Sequence, residues 1–440
     1  MADRRLLTNG LIVDPANGIH RSGSILIDGD VIGGIDLPVT DAIEVDCTGL
    51  VIAPGLVDLH AHLRVPGFEY KETLATGSAS AAAGGFTTVC CMPNTRPALD
   101  NPETIGSLFH LIASESDVRV LPIAAISRDR KGLNPVDYEA LSAMGVVGFS
   151  DDGDSTTSSG VMAEALRASN RHGRPVMVHC EDPGLVGGVM HEGAVSAELG
   201  VKGLPAAAEE IILVRDLMLA EMTGGWLYAL HVSTARGVEL IREYKSRGVQ
   251  VHAEAMPHHL VMTDQWMAGR RIFENCDEPP GESQDAPFGL AKVNPPLRTP
   301  ADTKALLAGL LDGTIDLVAT DHAPHAMSEK VGIPIEQAAF GMSGFELALP
   351  TMLSLVRASR FDLAELIRLM SAKPASLLGL NAGTLSPGAP ADVCVFDPEF
   401  RWTVRAEALR TRSPNTPLMG MSVQGKVMRT FVGGAEVYAV

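Results

Sequence analysis

Eight short apolar stretches alternate with helix-like stretches through the middle of the chain. The apolar stretches are residues 56–62, 86–94, 118–126, 145–152, 175–181, 226–233, 249–257 and 316–323. The helix-like stretches between them, several of which end in glycine as helices commonly do, include residues 71–84, 160–173, 206–224, 235–248 and 300–313. Near-continuous apolar strands that alternate with helices indicate a parallel sheet covered on its outer face. Eight such units predict a closed (β/α)8 barrel of the TIM type.

The two ends of the chain have a different pattern. Short β-rich runs separated by Asn-Gly, Asp-Gly and Thr-Gly turns fill the first fifty residues, beginning with a turn at Asn9-Gly10. Residues 391–398 and 426–440 repeat this pattern, with a turn at Gly433-Gly434. Strands this short need a sheet to join. We therefore predict an α/β protein in which residues 53–384 form the barrel, and residues 1–52 and 385–440 together form a small β-sandwich domain.

One segment, residues 264–292, interrupts the alternation. It has little periodicity and contains a Pro-Pro-Gly sequence. It is either a surface insertion or a functional lid or docking loop, and its length slightly favours the functional interpretation.

Composition narrows the classes of function. The net charge of the 440-residue chain is −18, which argues against nucleic-acid binding, although a pocket of concentrated basic groups can still accept an anionic small molecule. We find no signal-peptide core and no apolar run long enough to cross a bilayer. The six cysteines form no CxxC pair and no disulfide framework. We expect a cytoplasmic protein that binds neither nucleic acid nor membranes.

Side chains typical of metal sites stand at the ends of five predicted strands. They are His60 and His62 on the first strand, Asp151 and Asp152 on the fourth, His179 on the fifth, His231 on the sixth and Asp321 on the eighth. Residues two apart on a strand point the same way, so His60 and His62 can bind one ion. Because barrel active sites lie at the carboxyl ends of the strands, all these groups are expected at one mouth.

Four histidines and two carboxylates exceed the ligands of one tetrahedral zinc. They suit two ions about 3.5–4 Å apart, bridged by a carboxylate and a hydroxide. We assign the first ion to His60, His62 and Asp321 and the second to His179 and His231, with a strand-four aspartate as the bridge. Neighbours on a strand face opposite ways, so the pattern leaves the choice between Asp151 and Asp152 open. Asp321 can take a proton from the attacking water and return it to a leaving nitrogen.

A single histidine at a strand end is more often a hydrogen-bonded structural residue than a ligand. For that reason the predicted ligand set leaves out His172, His191, His258 and His259.

Ten motifs follow one another in a specific order: PGLVDLHAHLR, GGFTTVCCMPNTRP, FSDDG, VHCE, HEG, HVST, PHHL, NPPLR, ATDHAPH and FGMSGFE. From about residue 50 to 385 the chain thereby resembles the dihydroorotases of the amidohydrolase superfamily, specifically their longer bacterial type I form. The resemblance implies a reversible interconversion of L-dihydroorotate and N-carbamoyl-L-aspartate in de novo pyrimidine biosynthesis. It also implies two Zn2+ ions per chain, although cobalt or manganese suits the same ligands.

The resemblance implies specific roles for individual residues. It selects Asp152 as the bridge and gives the metal ligands as His60, His62, Asp152, His179, His231 and Asp321. It implies substrate contacts from His62, Arg64, Asn94, Asn294, His325 and the backbone at Phe340 and Gly341. One departure is Val65, which stands where the family usually has an acidic residue and puts a contact near the substrate in doubt.

Two other functions stay open. Hydantoinases, dihydropyrimidinases and allantoinases share the superfamily, but they typically bridge their metals with a carboxylated lysine on strand four, and residues 141–153 contain no lysine. Some dihydroorotase-like chains are inactive partners of aspartate transcarbamoylase, but these tend to lose metal ligands that this chain keeps. An active enzyme that also docks with the transcarbamoylase fits the sequence as well, and a homodimer is the default expectation.

Overall fold

The computed structural model describes residues 4–276 and 288–440, in which strands at both ends of the chain flank a region of alternating strands and helices. The strands are β1 (Arg4–Asp14), β2 (Ile19–Asp28), β3 (Val31–Ile35), β4 (Ile43–Asp46), β5 (Val51–Pro54), β6 (Leu56–Ala61), β7 (Phe86–Cys91), β8 (Arg119–Pro122), β9 (Phe149–Ser150), β10 (Val176–Val178), β11 (Met190–His191), β12 (Gly203–Leu204), β13 (Leu227–Ala229), β14 (Val251–Ala255), β15 (Leu317–Val318), β16 (Val393–Thr403), β17 (Ser422–Val432) and β18 (Ala435–Ala439).

The α-helices fall mainly between the central strands. They are α1 (Leu74–Ala83), α2 (Pro102–Glu115), α3 (Tyr138–Ala143), α4 (Ser159–His172), α5 (Ala194–Leu199), α6 (Ala207–Thr223), α7 (Ala235–Ser246), α8 (Pro257–Val261), α9 (Pro300–Leu311), α10 (Phe345–Arg357), α11 (Leu363–Ile367) and α12 (Lys373–Leu377). None of the helices within the described ranges combines the length and the apolar character that a bilayer span requires.

Strands from both ends of the chain share one sheet, in the order β18-β17-β16-β5-β1-β2-β3, with β4 also paired to β1. β5 connects the two ends because it pairs with β16 on one side and with β1 on the other. Its Ile52 lies opposite Val395 of β16, and both side chains are fully buried. Alternate side chains of these strands therefore form an apolar core of their own, which includes Leu7, Ile25 and Phe431.

The predicted turn at Asn9-Gly10 is wrong, because both residues lie inside β1. The pairing of β1 with β2 continues on both sides of them, with a register shift between Leu7 and Gly10. Asn9 has a φ of 61°, and a Cβ on Gly10 would lie 2.5 Å from Ile52 Cδ1. The Asn-Gly pair thus forms a bulge in a continuous strand. The predicted turn at Gly433-Gly434 is confirmed between β17 and β18.

Eight parallel strands of the described region form two sheets, which isolated bridges connect at their edges. β6, β7 and β8 form one parallel sheet, and β9, β10, β13, β14 and β15 form another. Parallel bridges between Ala124 and Phe149 and between Ala61 and His322 join the edges of the two sheets. Each of the eight apolar stretches predicted from the sequence contains one of these strands, although the strands are shorter than predicted.

These eight strands bring their carboxyl ends together. A separate buried cluster takes its apolar side chains from most of these strands, including Val57, Leu59, Met177, Tyr228 and Leu317. Helices such as α4, α6 and α7 pack on one another and contribute to a second, larger core. The polar side chains beyond the apolar cluster are therefore held on a rigid support.

The irregular segment 264–292 is described at its two ends. Short 3-10 helices occupy Asp264–Ala268 and Phe288–Ala291. Residues 277–287 lie outside the described residues, so the predicted lid or docking role of the segment stays a prediction.

The shared terminal sheet leads to a prediction about stability. Replacing Phe431, which is fully buried in β17, with Ala should lower the free energy of unfolding by about 3–5 kcal/mol, because the change removes apolar contacts and leaves a cavity. Urea denaturation measures the loss. The matched control is Phe400→Ala in β16, where the residue is 36% exposed and the expected change is about 0.5 kcal/mol. Equal losses in the two variants would contradict this placement of Phe431.

Candidate metal centre

Metal-ligand side chains from four strand ends converge in one buried cluster. The first group is His60, His62 and Asp152, and the second is Asp152, His179 and His231. Within each group the ligand atoms lie within 4.8 Å of one another. Asp152 belongs to both groups, which is the arrangement that a bridging carboxylate requires.

Asp321 lies beside the first group. Its Oδ1 is 3.0 Å from His62 Nε2 and 3.5 Å from His60 Nε2. Asp321 has a φ of 46°, His231 one of 30° and Arg64 one of 64°. Residues other than glycine rarely adopt this left-handed backbone conformation, and strained residues of this kind are concentrated at functional sites. The structure therefore brings all six predicted ligands together. Two of them, His231 and Asp321, have this strained backbone conformation, and so does Arg64.

The two neighbouring aspartates at the end of β9 have different surroundings. Asp151 accepts hydrogen bonds from Ile126 N, Ser127 N, Ser127 Oγ and Thr156 Oγ1. Asp152 instead faces the histidines, with Oδ1 3.4 Å from His231 Nε2. Asp151 thus holds residues 126–127 and 156 in place. Asp152 is the aspartate available to a metal. The strand pattern alone left this choice open.

Unsatisfied buried atoms test whether a metal fits the cluster. His60 Nε2 and Asp152 Oδ1 are buried without a hydrogen-bond partner. His179 Nδ1 and His231 Nε2 lie 2.9 Å apart, and each is within 3.5 Å of Asp152 Oδ1. Buried polar atoms normally have partners, and nitrogen and oxygen atoms at such distances match the ligands of a divalent cation. The residues therefore fit a metal centre.

The charges of the cluster are strongly coupled. Burial alone would lower the pKa of His60, but the carboxylates of Glu254, Asp321 and Asp152 raise it well above its usual range. Burial would raise the pKa of Asp152, but His60 and the other histidines hold it well below its usual range. Protons and metal ions therefore compete for the same nitrogen atoms.

Glu254 on β14 is a buried residue that the sequence analysis missed. It accepts hydrogen bonds from His60 Nδ1 at 2.6 Å and from the Tyr228 hydroxyl at 2.7 Å. Since Nδ1 is used in this way, His60 presents Nε2 to the cluster. A charged residue inside the apolar stretch 249–257 is the signal that could have identified it.

The predicted substrate residues surround the cluster. Arg64 Nη2 donates to His325 Nε2 at 3.1 Å, and Arg64 Nε donates to the Pro324 carbonyl. Asn94 Oδ1 lies 2.8 Å from His62 Nδ1, and Asn294 Nδ2 lies 3.4 Å from His179 Nε2. Asn94 and Asn294 therefore contact the cluster of candidate ligands at His62 and His179.

Lys71 is a further cation beside this group, and it was not predicted from the sequence. Its Nζ lies 3.1 Å from His325 Nδ1 and 3.2 Å from Glu329 Oε1. Val65, the departure from the family pattern, is 7% exposed and packs in the main apolar core. The valine therefore adds no charge to this region.

The turn at Phe340 and Gly341 packs against His325. Gly341 has a φ of 129°, and a Cβ there would lie 2.7 Å from the Ala323 carbonyl oxygen. Only glycine fits such a conformation at this distance. Phe340 and Asn294 both line a cavity of about 230 Å³ together with Glu181 and Lys292.

The four histidines that the prediction left out are not members of the two ligand groups. His191 accepts a hydrogen bond from Arg298 Nη1, and His259 Nε2 lies 3.0 Å from the Pro295 carbonyl oxygen. His258 is buried beside His259, and His172 ends α4.

The position of Glu254 leads to a prediction about metal affinity. Glu254→Gln should weaken metal binding by about 10–100-fold, because the charge that orients His60 is lost. Titration with a chelator, followed by measurement of the retained metal, gives the affinity. Glu243→Gln, at an exposed glutamate of α7, is the control and should bind metal as the unaltered chain does. An unchanged affinity in Glu254→Gln would remove Glu254 from the support of the site.

Comparisons with known proteins identify sequence relatives of this chain. A family model described as Dihydro-orotase-like matches residues 49–237. The dihydroorotase of Geobacter sp. (strain M21) is 44% identical over 439 residues, which cover 98% of this chain and 99% of the relative. The dihydroorotase of Anaeromyxobacter sp. (strain K) is 43% identical over 443 residues, which cover 100% of this chain and 98% of the relative.

Solved structures of a dihydropyrimidinase and an L-hydantoinase have a similar fold. Dihydropyrimidinase from Brevibacillus agri NCHU1002 gives a TM-score of 0.84 at 23% identity, covering 99% of this chain and 95% of that one. L-Hydantoinase from Arthrobacter aurescens gives a TM-score of 0.84 at 26% identity, covering 100% and 96%. The identity to the dihydroorotases is much higher and extends over the whole length. The chain belongs to the dihydroorotase family of amidohydrolases.

Proposed function

We infer that this protein is a dihydroorotase, a hydrolase that opens the cyclic amide of L-dihydroorotate to N-carbamoyl-L-aspartate and catalyses the reverse closure in pyrimidine biosynthesis. Relatives of that name match nearly the whole chain at 40–44% identity. The observation that carries the inference is the position of Arg64, hydrogen-bonded to His325, beside the two groups of candidate metal ligands.

We propose that the eight parallel strands form a (β/α)8 barrel spanning residues 53–384. The hydrogen bonds that connect β6 to His322 and β8 to β9 support this proposal. Residues 1–52 and 385–440 would form one small β domain, and the sheet that both ends share supports their union. Its arrangement as a β-sandwich stays a prediction. We also assign the chain to the longer, type I form of the family on its motifs.

The proposed cofactor is a pair of Zn2+ ions. His60, His62 and Asp321 would hold the first ion, His179 and His231 the second, and Asp152 would lie between them. When bound, the ions would supply an activated water near neutral pH and polarise the amide carbonyl. The histidine-rich ligand set favours zinc, while cobalt and manganese can use the same atoms.

A cationic group would bind the carboxylate of the substrate. Arg64 offers a planar fork of donors, and Asn94 and His325 complete the pocket. Burial lowers the pKa of Arg64 to about 10, which still keeps the guanidinium charged at neutral pH. A local concentration of positive charge explains how a chain with a net charge of −18 can bind an anion.

Asp321 would carry the proton. Burial would raise its pKa, but His60 and His62 hold the pKa well below its usual range, so the carboxylate is ionised at neutral pH. It can then accept a proton from the attacking water and deliver it to the leaving ring nitrogen. In the reverse reaction, which closes the ring, the Asp321 carboxyl group would begin in its protonated form.

The alternative cyclic-amide hydrolases share the fold and differ at the end of strand four. Residues 141–153 have no lysine for carboxylation, and Asp152, which belongs to both ligand groups, would be the bridge instead. A purely non-catalytic partner of aspartate transcarbamoylase is disfavoured by the full ligand set. Homodimerisation, docking with the transcarbamoylase and a cytoplasmic location stay predictions.

Replacing Asp321 tests the proposed proton transfer. Asp321→Asn should lower kcat by about 10²–10⁴-fold, because the amide cannot accept the proton, while the other ligands retain the metal. Turnover and metal content are measured on the same preparation. Asp41→Asn, at a 71% exposed carboxylate, should behave as the unaltered chain. Turnover near the normal rate in Asp321→Asn would exclude Asp321 from the mechanism.

Substrate preference distinguishes a dihydroorotase from a dihydropyrimidinase or a hydantoinase. The unaltered chain should hydrolyse dihydroorotate at least about 10²-fold more efficiently than dihydrouracil or hydantoin, because those rings lack the carboxylate that Arg64 would bind. Comparison of kcat/KM for the three compounds measures this preference. A metal-loaded protein that hydrolyses hydantoin but not dihydroorotate would require a different substrate assignment.

A further inference from the structure

A buried lysine, Lys330, lies against the turn that contains Phe340 and Gly341. The residue is 1% exposed, and its Nζ donates to the backbone carbonyls of Lys292, Ala339 and Gly341 at 2.8, 2.7 and 2.8 Å. Three acceptors match the three protons of an ammonium group, while burial lowers the pKa of the Lys330 amine to about 7. Lys330 therefore binds backbone groups rather than serving as a surface charge.

The three carbonyls belong to two separate stretches of chain that border the proposed substrate site. The Lys292 carbonyl stands two residues before Asn294, and the Ala339 and Gly341 carbonyls flank Phe340. The Gly341 amide also donates to the Lys292 carbonyl at 3.0 Å. One ammonium group and one peptide hydrogen bond thus hold Asn294 and the Phe340–Gly341 turn at a fixed separation.

A second lysine fixes the aromatic ring of the turn. Lys292 Nζ donates to the carbonyls of Ile335 and Glu336, and it lies 4.3 Å from the centre of the Phe340 ring. Lys292, Asn294 and Phe340 all line the cavity of about 230 Å³. The ring that faces this cavity is therefore supported by the chain stretch that Lys330 anchors.

We propose that Lys330 is a positioning residue for substrate binding, because its ammonium group fixes Asn294 and the Phe340–Gly341 turn relative to each other. The proposal rests on the proposed dihydroorotase function. Without the ammonium, the Ala339 carbonyl loses its donor, and a buried carbonyl without a donor favours movement of the turn. Lys330 makes no hydrogen bond to the metal cluster in the described part of the chain, so the ligands keep their geometry.

The test is the variant Lys330→Met, which keeps the length of the side chain and removes its donors. We expect KM for dihydroorotate to rise about tenfold or more and kcat to change less than about threefold, with the metal content of the unaltered chain. Lys330→Gln, which retains an N–H donor, should give an intermediate KM. The control Lys304→Met, at an exposed lysine of α9, should change neither constant.

Each result then has one meaning. A KM of Lys330→Met within about twofold of that of the unaltered chain overturns the positioning role, and so does a loss confined to kcat. An unaltered, metal-loaded protein that fails to hydrolyse dihydroorotate overturns the proposed function instead.

Hydrogen exchange on the unaltered, full-length protein provides a second measurement that does not depend on the folding of a variant. Saturation with N-carbamoyl-L-aspartate should slow exchange of the backbone amides in residues 289–294 and 339–341 together, because Lys330 links the two stretches. Slower exchange in only one of them would contradict the linkage.

Discussion

One buried carboxylate, Asp152, lies between two pairs of histidines, and the rest of the site is arranged around it. A carboxylate removed from water is costly unless positive charge or hydrogen bonds compensate it. Here the compensation comes from His60, His62, His179 and His231, which stand on β6 or follow β6, β10 and β13. The carboxyl ends of these parallel strands must therefore lie close together, as they do in the proposed barrel.

Other buried carboxylates support the cluster of candidate ligands without belonging to it. Glu254 orients His60, and Asp151 fixes the loop beside Asp152. Asp58 accepts hydrogen bonds from the amides of His60 and Thr320, and so it ties the first strand to the residue before Asp321. The candidate ligands are consequently positioned by hydrogen bonds from several neighbouring strands, and we expect a change in one support to lower metal affinity.

The alternation of apolar strands and helices was sufficient to locate the eight central strands, and the strand ends were sufficient to identify the candidate ligands. The remaining features depend on contacts that no local pattern contains. Asn9-Gly10 has the composition of a turn, but pairing with β2 on both sides makes it a bulge. Lys330 lies in an irregular loop, where nothing in the neighbouring residues indicates that carbonyls 9, 11 and 38 positions away surround its amine.

The sheet shared by the two ends of the chain affects the order of events during synthesis. β5 forms hydrogen bonds with β16, whose residues leave the ribosome more than three hundred positions after those of β5. Until then the edge of β5 that β16 later covers has no partner from its own sheet, and an unpaired edge can recruit strands of other nascent chains. Emergence of β16, rather than pairing among the central strands, is therefore the step at which this edge of β5 gains its partner.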